Sequence, residues 1–243
     1  MPDKVEEVAA MLSDLAAETG RKTIRDASAF DRVLQLFFSR FQEGFRAVRL
    51  LVGEDCGNDA VILVRSLYED TLNVLYIATD PEHLAALFLD YAQYRNWIYV
   101  TFLEKYYPEA LRDIKLEELV KMKAEYERVR DLFPRRSSWH GKTIADLARL
   151  LNLSNLHETF YKVTCDITHG NVAGFYPLLT ARDNRHIGVS SEDDEDYARD
   201  ALALASQCYL AVLDLVNKHF GLGLEAELDK ARREVAEVLN TLH

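Results

Sequence analysis

The chain has 243 residues, enough for one sizeable core, and its 49% hydrophobic and 28% charged content excludes a disordered polymer. A formal charge of −11 argues against broad, non-specific binding to nucleic acid or anionic membrane. Ten glycines and five prolines leave few places to break a helix, which favours long helices over a many-turned sheet protein.

A first helix is expected from about Asp3 to Gly20. Ser28 with Asp31 three residues on has the form of a capping box, in which hydroxyl and carboxylate each satisfy a backbone N–H. From there Phe30, Leu34, Phe37, Phe41, Phe45 and Val48 recur at helical spacing until Gly53. A third helix spans about Gly57 to Thr79. Asp80-Pro81 supplies an N-cap and a first-turn proline for a fourth, aromatic-rich helix that reaches Tyr107. A fifth runs from about Lys115 to Leu132.

The segment PRRSSWHGK is loop-like, and Thr143 with Asp146 opens a short helix through Leu151. Asn155 is then expected to cap a helix that Gly170 ends. GNVAGFYPLLTARDNRHIGVSSEDDED is a long connection, with Ser191 and the following acids suited to a helix N-terminus. Two further helices, about Asp194 to His219 and Leu224 to Leu242, are split by FGLG. No strand-type alternation is long enough for a sheet. The expected fold is an all-α multi-helix bundle of one domain over residues 1–243: an N-terminal helix and link (1–27), a bundle core (28–220) and a C-terminal helix (221–243).

The N-terminal MPDKVEEVAAMLSDL is acidic and amphipathic, without an uninterrupted apolar stretch for export. Cys56, Cys165 and Cys208 are widely spaced, form no CxxC pair, and fit buried thiols in a reducing cytoplasm. The most apolar segment, AVILVRSLYEDTLNVLYIA, carries Arg65, Glu69 and Asp70 mid-span, so no membrane helix is expected.

The residues with chemical potential gather in YKVTCDITHGN. Projected at about 100° per residue, Leu156, Phe160, Val163 and Ile167 share one stripe, and Tyr161, Cys165, Thr168 and His169 lie opposite, with Asp166 on the flank. The third helix is also two-faced: Ala60, Leu63, Val64, Leu67, Thr71, Val74 and Leu75 on one side, and Ile62, Leu72 and Tyr76 around Arg65 and Glu69 on the other. The pair runs basic before acidic, the weaker order for an isolated helix, so local stability does not explain it. The back faces of these helices are expected to meet, gathering Arg65, Glu69, Tyr161, Asp166 and His169 into an internal polar cluster. Such a cluster either fixes helix register or shapes a ligand pocket.

Asp166-x-x-His169 has the spacing of carboxylate-bridged metal sites, but the chain holds no second copy and Arg65 would repel a cation. No metal and no cofactor are expected. Cys165 and His169 lack an orienting third group, and no phosphate-cradling glycine loop is present. Arg128, Arg130, Arg135, Arg136 and Lys142 form one basic patch against Asp131, the place where nucleic acid would dock.

VILVRSLYEDTLNVLYIATDPE, with WHGKTIADLARLLNL and YKVTCDITHGN downstream, resembles the bacterial domain-of-unknown-function family numbered 5677 over about residues 30 to 220. That resemblance implies an all-helical fold and no established activity. Arg135 and His140 are also spaced as in HEPN helical domains, many of which are dimeric, metal-independent ribonucleases. The resemblance implies that these two side chains would polarise and cleave an RNA phosphodiester. Arg136 departs from the polar or acidic residue favoured there. The sequence thus points first to a non-catalytic module binding a small ligand or a protein partner, with a HEPN-like ribonuclease as the alternative. The aromatic fourth helix and ARDALALASQCYLAVLDLV offer surfaces for a homodimer.

Overall fold

A computed structural model describes residues 4–22, 27–134, 138–168, 179–183, 186–189 and 194–241. It is an all-α multi-helix bundle: α1 (Lys4–Arg21), α2 (Ala29–Gly53), α3 (Gly57–Ile77), α4 (Pro81–Tyr106), α5 (Leu116–Val129), α6 (Ile144–Leu150), α7 (Ser154–Leu156), α8 (Lys162–Thr168), α9 (Asp194–Phe220) and α10 (Glu225–Thr241). A small antiparallel hairpin, β1 (Leu179–Asp183) and β2 (His186–Val189), pairs Leu179 with Val189 and Ala181 with Ile187. It falls in the connection expected to be irregular. Strands of five and four residues are too short to write a legible alternation.

The helices pack because each carries an apolar stripe that water disfavours. Helix α9 lies against α3, α2, α1 and α10, and α3 also packs on α2, α6 and α8. Phe41 and Phe45 of α2 meet Tyr209 of α9, with ring centroids 6.1 and 4.9 Å away. Gly44 lets α2 approach α3 closely, since a Cβ there would sit 2.7 Å from Leu67 Cδ2. Buried apolar side chains from Val5 to Val238 form one cluster. Among the described residues, no helix is long and apolar enough to cross a membrane.

Both capping boxes expected from sequence form, at Ser28/Asp31 and at Thr143/Asp146. Asp31, 1% exposed, accepts from the N–H groups of Ala27 and Ser28 and also meets His219 Nε2 of α9 at 2.6 Å. The box therefore ties the start of α2 to the end of α9. That end turns through Gly221 and Gly223 at φ +62° and +70°, a region only glycine enters without strain. Asn217 stitches the turn, accepting from Leu224 N at 3.0 Å and donating to Glu225 Oε1 at 3.1 Å.

Several expectations need correction. Asp80 and Pro81 take the N-cap and first turn of α4 as expected, but the Asp80 side chain makes no capping hydrogen bond. Leu153, not Asn155, occupies the N-cap of α7, again without a side-chain cap. Ile62, expected on a shielded face of α3, is 39% exposed, whereas Leu72 is fully buried. Of the cysteines, Cys208 is buried, but Cys56 and Cys165 are only partly so. Gly170 and Ser191 lie outside the described residues.

Candidate functional site

Helix α3 presents two adjoining polar stations on its outer side. Arg65, Glu69 and Asn73 follow at four-residue intervals, which keeps them near one line, and Ser66 and Asp70 run alongside. Asn73 Nδ2 donates to the Glu69 carbonyl at 2.8 Å and so links the two stations.

At the first station, the segment after α7 widens into a π-helical turn, His157–Tyr161, before α8 resumes. Such a turn inserts an extra residue into the helical repeat, and single π turns are frequent at functional sites. Here it stacks His157 on Tyr161, centroids 4.7 Å apart, and brings both rings near Tyr68 of α3. The Tyr161 hydroxyl accepts from Arg65 Nη2 at 2.6 Å and donates to Glu69 Oε1 at 2.9 Å. Arg65 and Glu69 also touch directly at 3.0 Å, and the guanidinium lies 4.6 Å from the Tyr161 ring centroid.

With side-chain exposures of 18% and 32%, the pair is half-buried rather than sealed. Burial pulls the Arg65 pKa down, but hydrogen bonding to the Cys165 side chain and the charge of Glu69 outweigh it, so the pKa is raised. Burial, with Glu69 beside it, pushes the Tyr161 hydroxyl up to about 12. Tyr161 is thus a neutral bridge holding a cation and an anion in register. Its hydroxyl is spent on Arg65 and Glu69 and latches α3 to the π turn, while among the described residues Arg65 Nε and the Tyr68 hydroxyl are buried without a hydrogen-bond partner.

The second station is a groove of ≈ 300 Å³ between α2, α3, α4 and the loop before α6, lined by Leu36, Phe37, Arg40, Asp70, Asn73, Phe88 and Trp139. Its walls are aromatic: Phe88 lies 5.5 Å from Phe37 and stands edge-on to Trp139 at 5.4 Å. Trp139, 5% exposed, is fixed by donating Nε1–H to Asn73 Oδ1 at 2.8 Å. Arg40 reaches Asp70 Oδ2 at 3.3 Å through Nε and Ser66 Oγ at 3.3 Å through Nη2. Burial raises the Asp70 pKa and Arg40 offsets part of that rise. An apolar slot with a few convergent polar groups is the usual form of a small-molecule site.

This groove was not among the sites expected from the sequence. Asp70 was visible beside Glu69 as a second acid in an apolar helix, and Ser66, Asp70 and Asn73 share one helix face. That Arg40 and Trp139 meet them is not written in any local pattern.

Of the residues expected to cluster, Arg65, Glu69 and Tyr161 come together. The Asp166 side chain and His169 lie outside what the structure describes. Arg135 does too, so its spacing from His140 has no described geometry. His140 accepts the Lys142 N–H at Nδ1, 2.9 Å away, and packs edge-on to Trp139. Its ring thereby shapes the loop that carries Trp139. In the basic patch, Arg128 pairs with Asp90 at 2.7 Å and Glu125 at 3.0 Å, and Arg130 with Glu127 at 2.8 Å. Folding therefore brings in carboxylates that the local count against Asp131 did not include. Among the described residues, no three His, Cys, Asp or Glu side chains converge as metal ligands.

No curated protein and no solved structure matches the chain. The model of a family of unknown function, DUF5677, matches residues 31–187, from the first turn of α2 to the start of β2, both polar stations included. That match covers more than half of the sequence, and the chain belongs to the DUF5677 family.

Proposed function

We propose that this protein is a non-catalytic binding module whose ligand is a small planar molecule, of nucleobase size, held in the Trp139 groove. The observation that carries this reading is the pairing of aromatic walls with the Arg40–Asp70 couple and Asn73 in a slot of ≈ 300 Å³. Phe37, Phe88 and Trp139 supply π surface on which a flat ring packs. Arg40 offers donors and Asp70 an acceptor, which selects a ring edge carrying both an acceptor and a donor. A larger groove of ≈ 500 Å³ exists, but Glu6, Ser13, Ala16, Ala17 and Tyr209 of its lining lie outside the family-matched segment. Every residue lining the Trp139 groove lies inside it.

The chain has two tryptophans, so a Trp97→Phe background isolates Trp139 emission. Adenine and nicotinamide, which have donor–acceptor edges, should quench that emission and raise the melting temperature, and indole should do so more weakly. Asp70→Asn combined with Arg40→Met should weaken adenine and nicotinamide by about tenfold, the effect of one lost polar contact of ~1.4 kcal/mol. If none of the three rings alters Trp139 emission at millimolar concentration, the assignment of this groove fails.

A further inference from the structure

Helices α4 and α5 form an arm that departs from the bundle. From Thr101 to Arg128 no residue is buried, although Val100 and Val129 at its base are. The outer face of α4 carries Tyr99, Phe102 and Tyr106 at helical spacing, followed by Tyr107, with exposures of 61, 47, 55 and 52%. Their rings touch: Tyr99 lies 6.4 Å from Phe102, which lies 5.0 Å from Tyr106 and 6.0 Å from Tyr107. This stripe points away from α5, because Tyr94 and Trp97, on the other side of α4, are the residues that meet Tyr126. A contiguous aromatic strip on a helical pair without an interior is an unfinished core.

We infer that this strip is the interface of a homodimer in which the α4 arms of two copies pack against each other across a two-fold axis. Two observations favour a second copy over other occupants. The first is charge. Between Thr101 and Arg128 seven carboxylates and six cations intermingle, in a chain whose overall charge is −11. A two-fold interface must complement itself, and a mixed, nearly neutral surface does so where a single-sign one repels. The same balance gives an anionic lipid surface or nucleic acid nothing to hold.

The second is area. A fully buried aromatic side chain removes roughly 150–250 Å² from water, so four at half exposure offer about 400 Å² per copy. A standard interface buries about 800 Å² per partner, of which a little over half is apolar. The strip therefore supplies nearly all the apolar part, and the charged flanks of α4 and α5 supply the rim.

The test is sedimentation equilibrium of the full chain from micromolar to high micromolar concentration. The wild type should dimerise. Phe102→Asp and Tyr106→Asp, both at exposed positions, should be monomeric with unchanged far-ultraviolet circular dichroism. Leu50→Asp, at an exposed position on α2, should leave the dimer intact. A wild-type monomer throughout this range overturns the inference. So does a dimer that survives Phe102→Asp together with Tyr106→Asp. Co-sedimentation of the wild type, but not Phe102→Asp, with phosphatidylserine vesicles would overturn it in favour of a lipid surface.

Discussion

Replacing Tyr161 by Phe removes one hydroxyl and leaves the aromatic framework in place. The stack on His157 and the position over the Arg65 guanidinium are ring properties and persist in phenylalanine. What is lost is the bridge, one hydrogen bond of 2.6 Å from Arg65 and one of 2.9 Å to Glu69. Hydrogen bonds to charged groups contribute about 1.5–3 kcal/mol each when removal leaves a buried partner unsatisfied. Two facts reduce that sum here. Arg65 and Glu69 keep their own contact at 3.0 Å, and exposures of 18% and 32% let water replace part of what the hydroxyl provided. The expected loss is ~1–2 kcal/mol in urea unfolding, with an unchanged m-value. Glu69→Gln alone and with Tyr161→Phe closes a double-mutant cycle, in which a coupling of about 0.5–1.5 kcal/mol is expected. Additive effects, or a loss below ~0.3 kcal/mol, would show that the hydroxyl does not join α3 to the π turn.

Burial works to raise the Asp31 pKa, but hydrogen bonds from His219, Ala27 and Ser28 win and lower it from the ordinary 3.8 to about 2. A lowered folded-state pKa gives stability that is present above pH 3.8 and lost as pH falls toward 2, so acid titration should remove ~2 kcal/mol in that window. Asp31→Asn should flatten this part of the profile, and an unchanged acid limb would refute the assignment. Gly44→Ala gains helix propensity of about 1 kcal/mol but drives its Cβ into Leu67 at 2.7 Å, within a fully buried layer. A net loss of ~1 kcal/mol is expected, relieved by adding Leu67→Val, and a stabilised single variant would show that the layer yields. His140→Ala leaves the Lys142 N–H without its acceptor and loosens the Trp139 loop, so stability should fall by about 1 kcal/mol and Trp139 emission should shift red. An unchanged spectrum would detach His140 from that loop. Assaying the same variant against single-stranded RNA tests the role suggested by the Arg135–His140 spacing.

The sequence alone determined what depends on neighbours within a turn or two. Ser28 with Asp31, and Thr143 with Asp146, cap their helices because the groups that pair are three residues apart. The phenylalanine stripe of α2 and the charges inside α3 were equally plain, because a repeat near 3.6 residues writes one face into the chain. The meeting of Arg65 and Glu69 with Tyr161 was half legible. Two-faced helices announce that they are covered on both sides, but a linear pattern does not say by what.

Only the tertiary structure decided the rest. The π turn shifts the helical phase by one residue, which no propensity marks. His219 reaches Asp31 across 188 positions, and Trp139 reaches Asn73 across 66. Arg128 finds Asp90 of α4 across 38 positions, a carboxylate that no local count of charges includes. Contacts of this kind are set by how helices of given length and stripe angle cross. That crossing is a property of the whole packed bundle, because each side chain finds its partner only after every other helix has found its place.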